Sequence, residues 1–327
     1  MQSRLIKSAE RAYSLIESDL RKVESLIDEQ LISTSPAAKT VLEYIRAHRG
    51  KMLRPALVLL CGKCCGQVTP LHRQISAIVE LIHIATLLHD DVIDESHQRR
   101  GRRTINSLYG NEAAVISGDF LFGRVFRMCA DLSHPTVGKI LADTCIRICQ
   151  GELEQNFHRG NRELSEANYL NIITEKSASF LSSCCHLGAV AADALPKHAT
   201  AFADFGLNVG IAFQIIDDVL DIAGDEQAMG KSTGSDFTMN TFTLPVIHLL
   251  ATAAAKDRPA ILELFSDSDQ NKGAATTLLR QYGSLDYACG RAAQFRRLAV
   301  DALAGVEESS ARTALIETAD FCINRAG

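Results

Sequence analysis

The sequence predicts an all-α protein, and three observations carry that prediction. Apolar residues recur in steps of three and four, first over residues 3–30, where Leu5 to Ile27 describe one helix face. No stretch alternates apolar and polar residues convincingly enough to predict a strand. Seven prolines and no tryptophan suit long helices better than a β-sandwich with many turns. Because 46% of the 327 residues are apolar, a sizeable core is available, and we predict a single all-α domain over residues 1–327.

Capping residues and prolines set the predicted helix boundaries. A serine or threonine followed by proline begins helices at Ser35-Pro36 and Thr69-Pro70, and the second runs to about Glu95. Further helices are predicted near residues 111–131, 135–158, 165–193 and 196–223, with shorter ones over 243–326. Residues 96–104 form a basic loop, and residues 224–234 form a glycine-rich loop.

Two apolar helical runs end in near-identical aspartate clusters. The clusters are Asp90, Asp91 and Asp94, and Asp217, Asp218 and Asp221. Residues four apart lie on one helix face, so the first and last aspartates of each cluster point the same way. Carboxylates are costly in apolar surroundings, whereas Mg²⁺ prefers oxygen ligands and often shares its shell with substrate phosphates. One cluster would be read as an acidic helix end, but two of them predict a magnesium site.

Basic and polar residues accompany both clusters. Around the first lie Lys51, Arg54, His83, Arg99 and Arg100. Each cation alone is typical of a solvated surface, and His83 alone of a core, but together they offer the charge to clamp a diphosphate, with bidentate contacts from arginine. Near the second lie Lys176 and Ser177 in an apolar helical stretch, Gln214 on the face of Asp217 and Asp221, and Lys231 in the glycine-rich loop.

Composition argues against several other classes of protein. The net charge is −5, which does not suggest a nucleic-acid binder. No uninterrupted apolar stretch of about 18 residues predicts a membrane span, and the N-terminus does not resemble a signal peptide, so we expect a cytoplasmic protein. The ten cysteines include Cys61, Cys64 and Cys65, and a Cys184-Cys185-His186 run, but neither group has the paired spacing of a zinc site. We therefore interpret the cysteines as structural thiols.

The ordered motifs from about residue 43 to 250 resemble those of trans-polyprenyl diphosphate synthases. The motifs are Gly-Lys-x-Leu-Arg-Pro, Leu-Leu-His-Asp-Asp-x-x-Asp-Glu with Arg-Arg-Gly, Gly118-Asp119-Phe120, Gly151-Glu152-x-x-Gln155, Glu-Lys-Ser, and Phe-Gln-x-x-Asp-Asp-x-x-Asp with Gly-Lys-x-x-Gly-x-Asp. The resemblance implies a large helical bundle of the isoprenoid synthase type with a central substrate cavity. It also implies head-to-tail condensation of isopentenyl diphosphate with an allylic diphosphate, for which farnesyl or geranylgeranyl diphosphate is the expected starter.

The resemblance also implies a role for each candidate residue. Asp90 and Asp94 would hold two Mg²⁺ ions and Asp217 a third, with Asp91, Asp218 and Asp221 in support. Arg99, Lys176 and Lys231 would hold the allylic diphosphate, and Lys51, Arg54, His83 and Arg100 the isopentenyl diphosphate. Ser177 and Gln214 would place oxygen dipoles near the allylic cation, and the departing pyrophosphate would take the proton.

Product length is predicted from the residues about one turn before Asp90. Ala85 and Thr86 are small, which leaves a tunnel open for a long chain, and Phe126 is a candidate for a deeper floor. The sequence departs from the family in three places: no lysine precedes Thr243, Ser177 replaces a threonine, and Arg103 stands where a small residue or proline is common.

Several alternative readings remain at this stage. One is a shorter-chain farnesyl or geranylgeranyl diphosphate synthase, and another is a non-catalytic regulatory subunit of a heteromeric synthase, although all six aspartates are present. A terpene cyclase usually lacks the second aspartate motif. A di-iron carboxylate protein with a helical-bundle fold would have two Glu-x-x-His motifs, and only Glu80 to His83 matches that motif. By resemblance, we also expect a homodimer formed through helices near residues 110–160.

Overall fold

A computed structural model of the chain describes residues 11–48, 50–99, 101–223, 241–265 and 271–323. The described part is almost entirely helical, which confirms the predicted fold class. Its longer elements up to the middle of the chain are α1 (Glu17–Gln30), α2 (Pro36–Ala47), α3 (Leu53–Cys65), α4 (Pro70–Ile93), β1 (Gln98–Arg99), β2 (Arg102–Arg103), α5 (Ile105–Tyr109), α6 (Asn111–Ala130) and α7 (Pro135–Phe157). They are followed by α8 (Glu166–Ile173), a π-helical turn (Thr174–Ala178), α9 (Ser179–Val190), α10 (Pro196–Ala223), α11 (Leu244–Thr252), α12 (Arg258–Leu264), α13 (Lys272–Gln281), α14 (Ser284–Ala302) and α15 (Ser310–Ile323).

The described residues group into two compact units. The first unit takes the described residues up to Cys145, together with Leu181–Gly206 and Ala302–Thr318. The second takes Ile146–Phe180 and the described residues of Leu207–Asp301 and of the segment from Ala319 onward. The unit boundaries fall inside α7, α9 and α10, so neither unit is one continuous stretch of sequence. That the chain behaves as a single domain stays a prediction.

Helix α4 is the centre of the first unit, where it packs against α1, α3 and α6. It begins with a capping box in which Thr69 and His72 satisfy each other's polar groups. Residues such as Ile78, Leu81 and Ile82 are completely buried along its length. Because these side chains are packed in the core, the helix is held in place, and the backbone of the aspartates at its C-terminal end is fixed.

The second unit has an apolar core built from α8, the C-terminal part of α10, and α11 to α14. Ile215, Leu244, Leu249 and Leu279 lie at its centre and are fully buried. The second aspartate cluster therefore lies at the C-terminal end of a helix packed in the core of its unit, as the first cluster does on α4.

The structure departs from the predicted elements in three places. The predicted basic loop contains a two-stranded antiparallel hairpin, because Gly101 adopts the positive φ of 73° that a tight turn requires. The first helical run is interrupted at residues 15–16, and α1 begins at Glu17. The predicted helix over 165–193 is divided by the π-helical turn, whose extra residue no periodicity pattern indicates.

Among the described residues, one helix passes a simple length and hydropathy test for crossing a bilayer. This helix is α10, and 56% of its most apolar window is buried inside the protein. Helices of soluble cores pass the same test, and α10 carries the second aspartate cluster in its last turns, so this is weak evidence for a membrane span.

Three cysteines lie in the core of the first unit. Cys61, Cys184 and Cys185 are fully buried, and Cys61 contacts Cys185. Burial raises the pKa of Cys61 and of Cys184, because the thiolate loses its hydration. Thiols of this kind pack as small apolar side chains, as the sequence pattern indicated.

Candidate active site

The first aspartate cluster closes α4, and its members differ in environment. Asp91 is 5% exposed, and its Oδ1 accepts a hydrogen bond from Arg99 Nε at 2.8 Å. Burial raises the pKa of Asp91, and the Arg99 guanidinium opposes that shift. Asp90 and Asp94 are only partly buried and lie one turn apart. The middle aspartate is thus bound to the protein, while the outer two remain partly accessible to solvent.

His89 fixes the end of α4 against α6. Its Nε2 lies 3.1 Å from the carbonyl oxygen of Val115 and 3.5 Å from Asp119 Oδ1. Gly118 makes this approach possible, since a Cβ at that position would lie 2.2 Å from His89 Nε2. The Gly118-Asp119 motif therefore has a structural meaning, because it seats the residue that precedes Asp90.

The same helix end is tied to the basic hairpin through Asn106. The Asn106 Nδ2 donates to the carbonyl oxygens of Asp91 at 3.0 Å and Ser96 at 3.1 Å. Thr104 Oγ1 also donates to the Ser96 carbonyl at 2.7 Å. These bonds satisfy carbonyl groups that a helix C-terminus leaves open, and they order the loop between the aspartates and the hairpin.

A cavity of about 360 Å³ lies beside this cluster in the first unit. Its lining includes Tyr44, His48, Gly50, Glu80, His83, Asp91, Arg99, Arg102 and Arg103. Its lining contains His83 and Arg99 together with Gly50 of the loop before α3, but not Lys51 or Arg54, so the grouping of these cations stays a prediction. Its arginine-rich wall makes it suitable for an anion.

Lys51 and Arg54 flank a strained residue at the start of α3. Met52 is the N-cap and has the left-handed φ of 54°, which is unusual for a residue other than glycine. Strain of this kind persists only where the surrounding structure enforces it, and it is found often at ligand sites. The predicted candidates Arg100 and Lys231 lie outside the described residues.

The second aspartate cluster, on α10, is bound to the protein by neutral donors. Asp218 is 6% exposed, and it accepts hydrogen bonds from the Tyr169 hydroxyl at 2.6 Å and from Gln214 Nε2 at 2.9 Å. Burial raises the pKa of Asp218 to about 7, although both hydrogen bonds act in the opposite direction. Asp217 is partly buried, and Asp221 is 3% exposed.

The Glu-Lys-Ser motif lies on the π-helical turn, where each side chain has a defined partner. Glu175 forms a two-pronged ion pair with Arg147, in which both N–O distances are 2.7 Å. Lys176 Nζ lies 2.5 Å from a carboxylate oxygen of Glu152. The next residue, Ser177, donates to Gln214 Oε1 at 3.0 Å, so Ser177, Gln214 and Asp218 form one hydrogen-bonded chain.

Gly151 allows α7 to approach the π-helical turn closely. A Cβ at this position would lie 2.2 Å from the backbone nitrogen of Lys176 and 2.6 Å from its Cα. The Gly151-Glu152 pair thus combines a close backbone contact with a carboxylate for Lys176. No sequence pattern indicates the two supporting residues Arg147 and Tyr169, because each lies far along the chain from its partner.

The predicted chain-length residues lie in different environments. Ala85 is fully buried, and Thr86 is partly buried, with its hydroxyl donating to the His83 carbonyl at 2.9 Å. Phe126 is 68% exposed on α6, so in the isolated chain it does not line an enclosed tunnel. The role of Phe126 as a deeper floor stays a prediction.

Comparison with known proteins identifies the family of the chain. Residues 35–282 match the polyprenyl synthetase family. The chain is 34% identical to an octaprenyl diphosphate synthase of Haemophilus influenzae, over 99% of both chains. It is 32% identical to a short chain isoprenyl diphosphate synthase of Methanothermobacter thermautotrophicus, over 94% of this chain and 97% of the other.

A solved structure shows the same fold. The polyprenyl synthase of Caulobacter crescentus CB15, complexed with calcium and isoprenyl diphosphate, superimposes with a TM-score of 0.92 at 32% identity, covering 98% of both chains. The family match, the relatives and the fold agree with one another. The chain therefore belongs to the polyprenyl synthetase family of prenyltransferases.

Proposed function

We propose that this protein is a Mg²⁺-dependent trans-polyprenyl diphosphate synthase that makes a long-chain product. It would condense isopentenyl diphosphate head to tail with an allylic diphosphate, with farnesyl or geranylgeranyl diphosphate as the starter. The observation that carries the proposal is the shared construction of the two aspartate clusters. In each, the middle carboxylate is buried and bound by protein donors, and the first is only partly buried at a helix end.

The carboxylate pattern suits magnesium that is shared with substrate. In the described part of the chain, no group of three or more His, Cys, Asp and Glu side chains is placed to hold a metal ion. Mg²⁺ commonly binds through one or two carboxylates plus substrate phosphates, and one or two carboxylates per ion is what Asp90, Asp94 and Asp217 would supply. We propose three ions with substrate bound. When bound, Mg²⁺ supplies Lewis-acid stabilisation of the leaving diphosphate.

The chain's own residues would hold the substrates and protect the reacting carbon. Arg99, Lys176 and Lys231 would bind the allylic diphosphate, and Lys51, Arg54, His83 and Arg100 the isopentenyl diphosphate. The Ser177-Gln214 hydrogen bond orients two side-chain oxygens, which would stabilise developing positive charge on the allylic group. Asp218 would act by fixing Gln214, because it accepts from Gln214 Nε2.

Two observations support the proposal of a long-chain product, the small side chain of Ala85 and the similarity to an octaprenyl diphosphate synthase. Ala85 is fully buried about one turn before Asp90, and in a product tunnel at this place it would present no bulky side chain to a growing chain. The octaprenyl diphosphate synthase relative supports the same conclusion. A short-chain product is the second candidate, since a short chain isoprenyl diphosphate synthase is nearly as similar over the whole chain.

We also propose a cytoplasmic homodimer that uses helices within residues 110–160. On α6, Val115, Ile116 and Phe126 are between 40% and 68% exposed. On α7, Leu153 and Phe157 are 70% and 83% exposed. Apolar side chains exposed to this degree are typical of surfaces that a partner covers. Light scattering after size exclusion would return twice the monomer mass of 35.6 kDa, and a Leu153→Lys variant should lower it.

Product analysis tests the proposed function. Purified protein is incubated with Mg²⁺, isopentenyl diphosphate and, separately, geranyl, farnesyl or geranylgeranyl diphosphate, and the dephosphorylated products are sized by mass spectrometry. We expect a ladder that ends at a long polyprenol. A product that stops at farnesol or geranylgeraniol would support the short-chain candidate, and no product with any starter would point to a regulatory subunit.

Aspartate variants test the metal assignment separately. Asp90→Ala and Asp217→Ala should each abolish Mg²⁺-dependent turnover while circular dichroism shows a folded helical protein. Asp131→Ala, at an exposed position after α6, is the matched control and should retain activity. Normal turnover in either cluster variant would contradict the assignment.

A further inference from the structure

The basic hairpin places two arginines side by side. Its register pairs Arg99 with Arg102 and Gln98 with Arg103. Residues directly opposite each other in an antiparallel pair project to the same face, so the guanidinium groups of Arg99 and Arg102 share one face. Like charges in this arrangement repel each other, and a bound anion would relieve the repulsion.

Arg99 has an ion-pair partner for its guanidinium, whereas Arg102 has none among the described residues. Arg99 is paired with Asp91, with an Nε–Oδ1 distance of 2.8 Å. On the opposite face, Arg103 donates from Nε to Ser107 Oγ at 3.2 Å and from Nη2 to the Ser107 carbonyl at 2.5 Å. Within the described ranges, the Arg102 guanidinium has no hydrogen bond or ion pair, and Arg102 lines the same 360 Å³ cavity as His83.

Tyr44 holds the hairpin in this position. Its hydroxyl donates to the carbonyl oxygen of Arg103 at 2.6 Å, which links α2 to the strand that carries Arg102. Its ring stacks on His48, with centroids 4.1 Å apart and an interplanar angle of 26°. His48 Nδ1 lies 2.5 Å from the Tyr44 carbonyl, so both rings are fixed in the wall of the cavity.

We propose that Arg102 is a further binding residue for the diphosphate of isopentenyl diphosphate, and that Tyr44 is the positioning residue that holds the hairpin carrying it. The inference rests on the proposed function, which assigns that substrate to the cations around His83. Arg102 adds a guanidinium to the cavity lining, on the same hairpin face as Arg99. The Tyr44 hydroxyl keeps the hairpin in place before substrate arrives, so less ordering is required on binding.

Steady-state kinetics of the full-length enzyme test both assignments. Arg102→Gln should raise KM for isopentenyl diphosphate about tenfold, the size of one charge-assisted hydrogen bond. Tyr44→Phe, which removes one hydroxyl, should raise it about threefold. For both variants, kcat and KM for the allylic substrate should stay within about twofold, a split that general loss of structure would not give.

Matched controls use residues outside the cavity. Arg297→Gln removes an exposed arginine of α14, and Tyr109→Phe removes the hydroxyl of a 43% exposed tyrosine at the end of α5. Both should behave as wild type. Arg102→Lys should recover part of the lost affinity. The double variant Tyr44→Phe/Arg102→Gln should raise KM by less than the product of the single effects, because the two residues act on one contact.

Calorimetric titration with inorganic diphosphate separates this inference from the proposed function. If wild-type protein makes no product, the proposed function fails, yet Arg102→Gln should still weaken diphosphate binding about tenfold relative to Arg297→Gln. Unchanged diphosphate affinity in Arg102→Gln overturns the assignment of Arg102, whether or not the enzyme turns over. Unchanged affinity in Tyr44→Phe overturns the role of Tyr44, and circular dichroism establishes that each variant is folded.

Discussion

The two aspartate clusters share a sequence pattern but are supported by different chemistry. In the first unit, the buried middle aspartate, Asp91, is bound by the cation Arg99. In the second unit, the buried middle aspartate, Asp218, is bound by the neutral donors Tyr169 and Gln214. The same D-D-x-x-D motif therefore ends two apolar helices, with a charged donor for the middle aspartate in one and neutral donors in the other.

The difference shows how each cluster is kept in place. Burial raises the pKa of both middle aspartates, and at Asp91 the Arg99 guanidinium opposes that shift. At Asp218, burial and the nearby Asp217 and Asp221 raise the pKa to about 7, although the two neutral donors act in the opposite direction. The first cluster is thus linked by charge to the basic hairpin, and the second is linked by hydrogen bonds to Gln214 and Ser177. In each unit, the supported aspartate orders a neighbour that the proposed reaction uses.

The largest effect is expected from the glycines that support the two regions. Gly151→Ala places a Cβ against the Lys176 backbone, which cannot rotate away, so we expect a loss of about 3 kcal/mol in unfolding free energy and about 100-fold in kcat. Gly118→Ala places a Cβ against the His89 ring, which can turn, so the cost should be about 1 kcal/mol. Urea unfolding and kinetics measure both. Equal costs would show that the two supports are equally rigid.

A smaller effect is expected from removing each buried aspartate's partner. Arg99→Gln leaves Asp91 without its cation and should cost about 2 kcal/mol, a reduced value because 38% of the Arg99 side chain is exposed. Tyr169→Phe removes one neutral hydrogen bond and should cost about 1 kcal/mol. Raising the salt concentration should reduce the first loss and leave the second unchanged. A similar salt dependence in both would contradict the proposed difference.

The smallest effect concerns His72, which anchors the opposite end of the helix that carries the first cluster. Burial lowers the pKa of His72, while its Nε2 bonds the Gly188 carbonyl at 3.0 Å. Because the folded pKa lies below the ordinary value of 6.5, the stabilisation is complete above pH 6.5 and is lost as pH falls through the lower folded value. Wild type should lose more unfolding free energy than His72→Gln between pH 7.5 and pH 5 in urea unfolding. Parallel pH profiles for the two proteins would contradict this.

Sequence patterns predicted what depends on local order along the chain. The helix period and the capping residues placed both aspartate clusters at helix ends, and the basic loop was expected where the hairpin lies. The contacts that support the site join distant residues: Tyr169 and Asp218 are 49 positions apart, and Arg147 and Glu175 are 28 apart. No local periodicity encodes such pairs. Phe126, which is 68% exposed, shows a second limit of sequence patterns, since an apolar helix face does not reveal whether core, solvent or a partner covers it.

The π-helical turn over Thr174–Ala178 has a consequence for how the reaction could be altered. A π turn holds one residue more than the α-helical turn it replaces, and each residue of an α-helix advances the direction of its side chain by about 100°. Deleting one residue from this turn would restore ordinary helical winding. Either the Glu-Lys-Ser side chains or the side chains of the helix that follows them would then be rotated by about 100° about the helix axis. Insertion or deletion of a single codon here is thus a route to new substrate contacts that leaves every other side chain chemically unchanged.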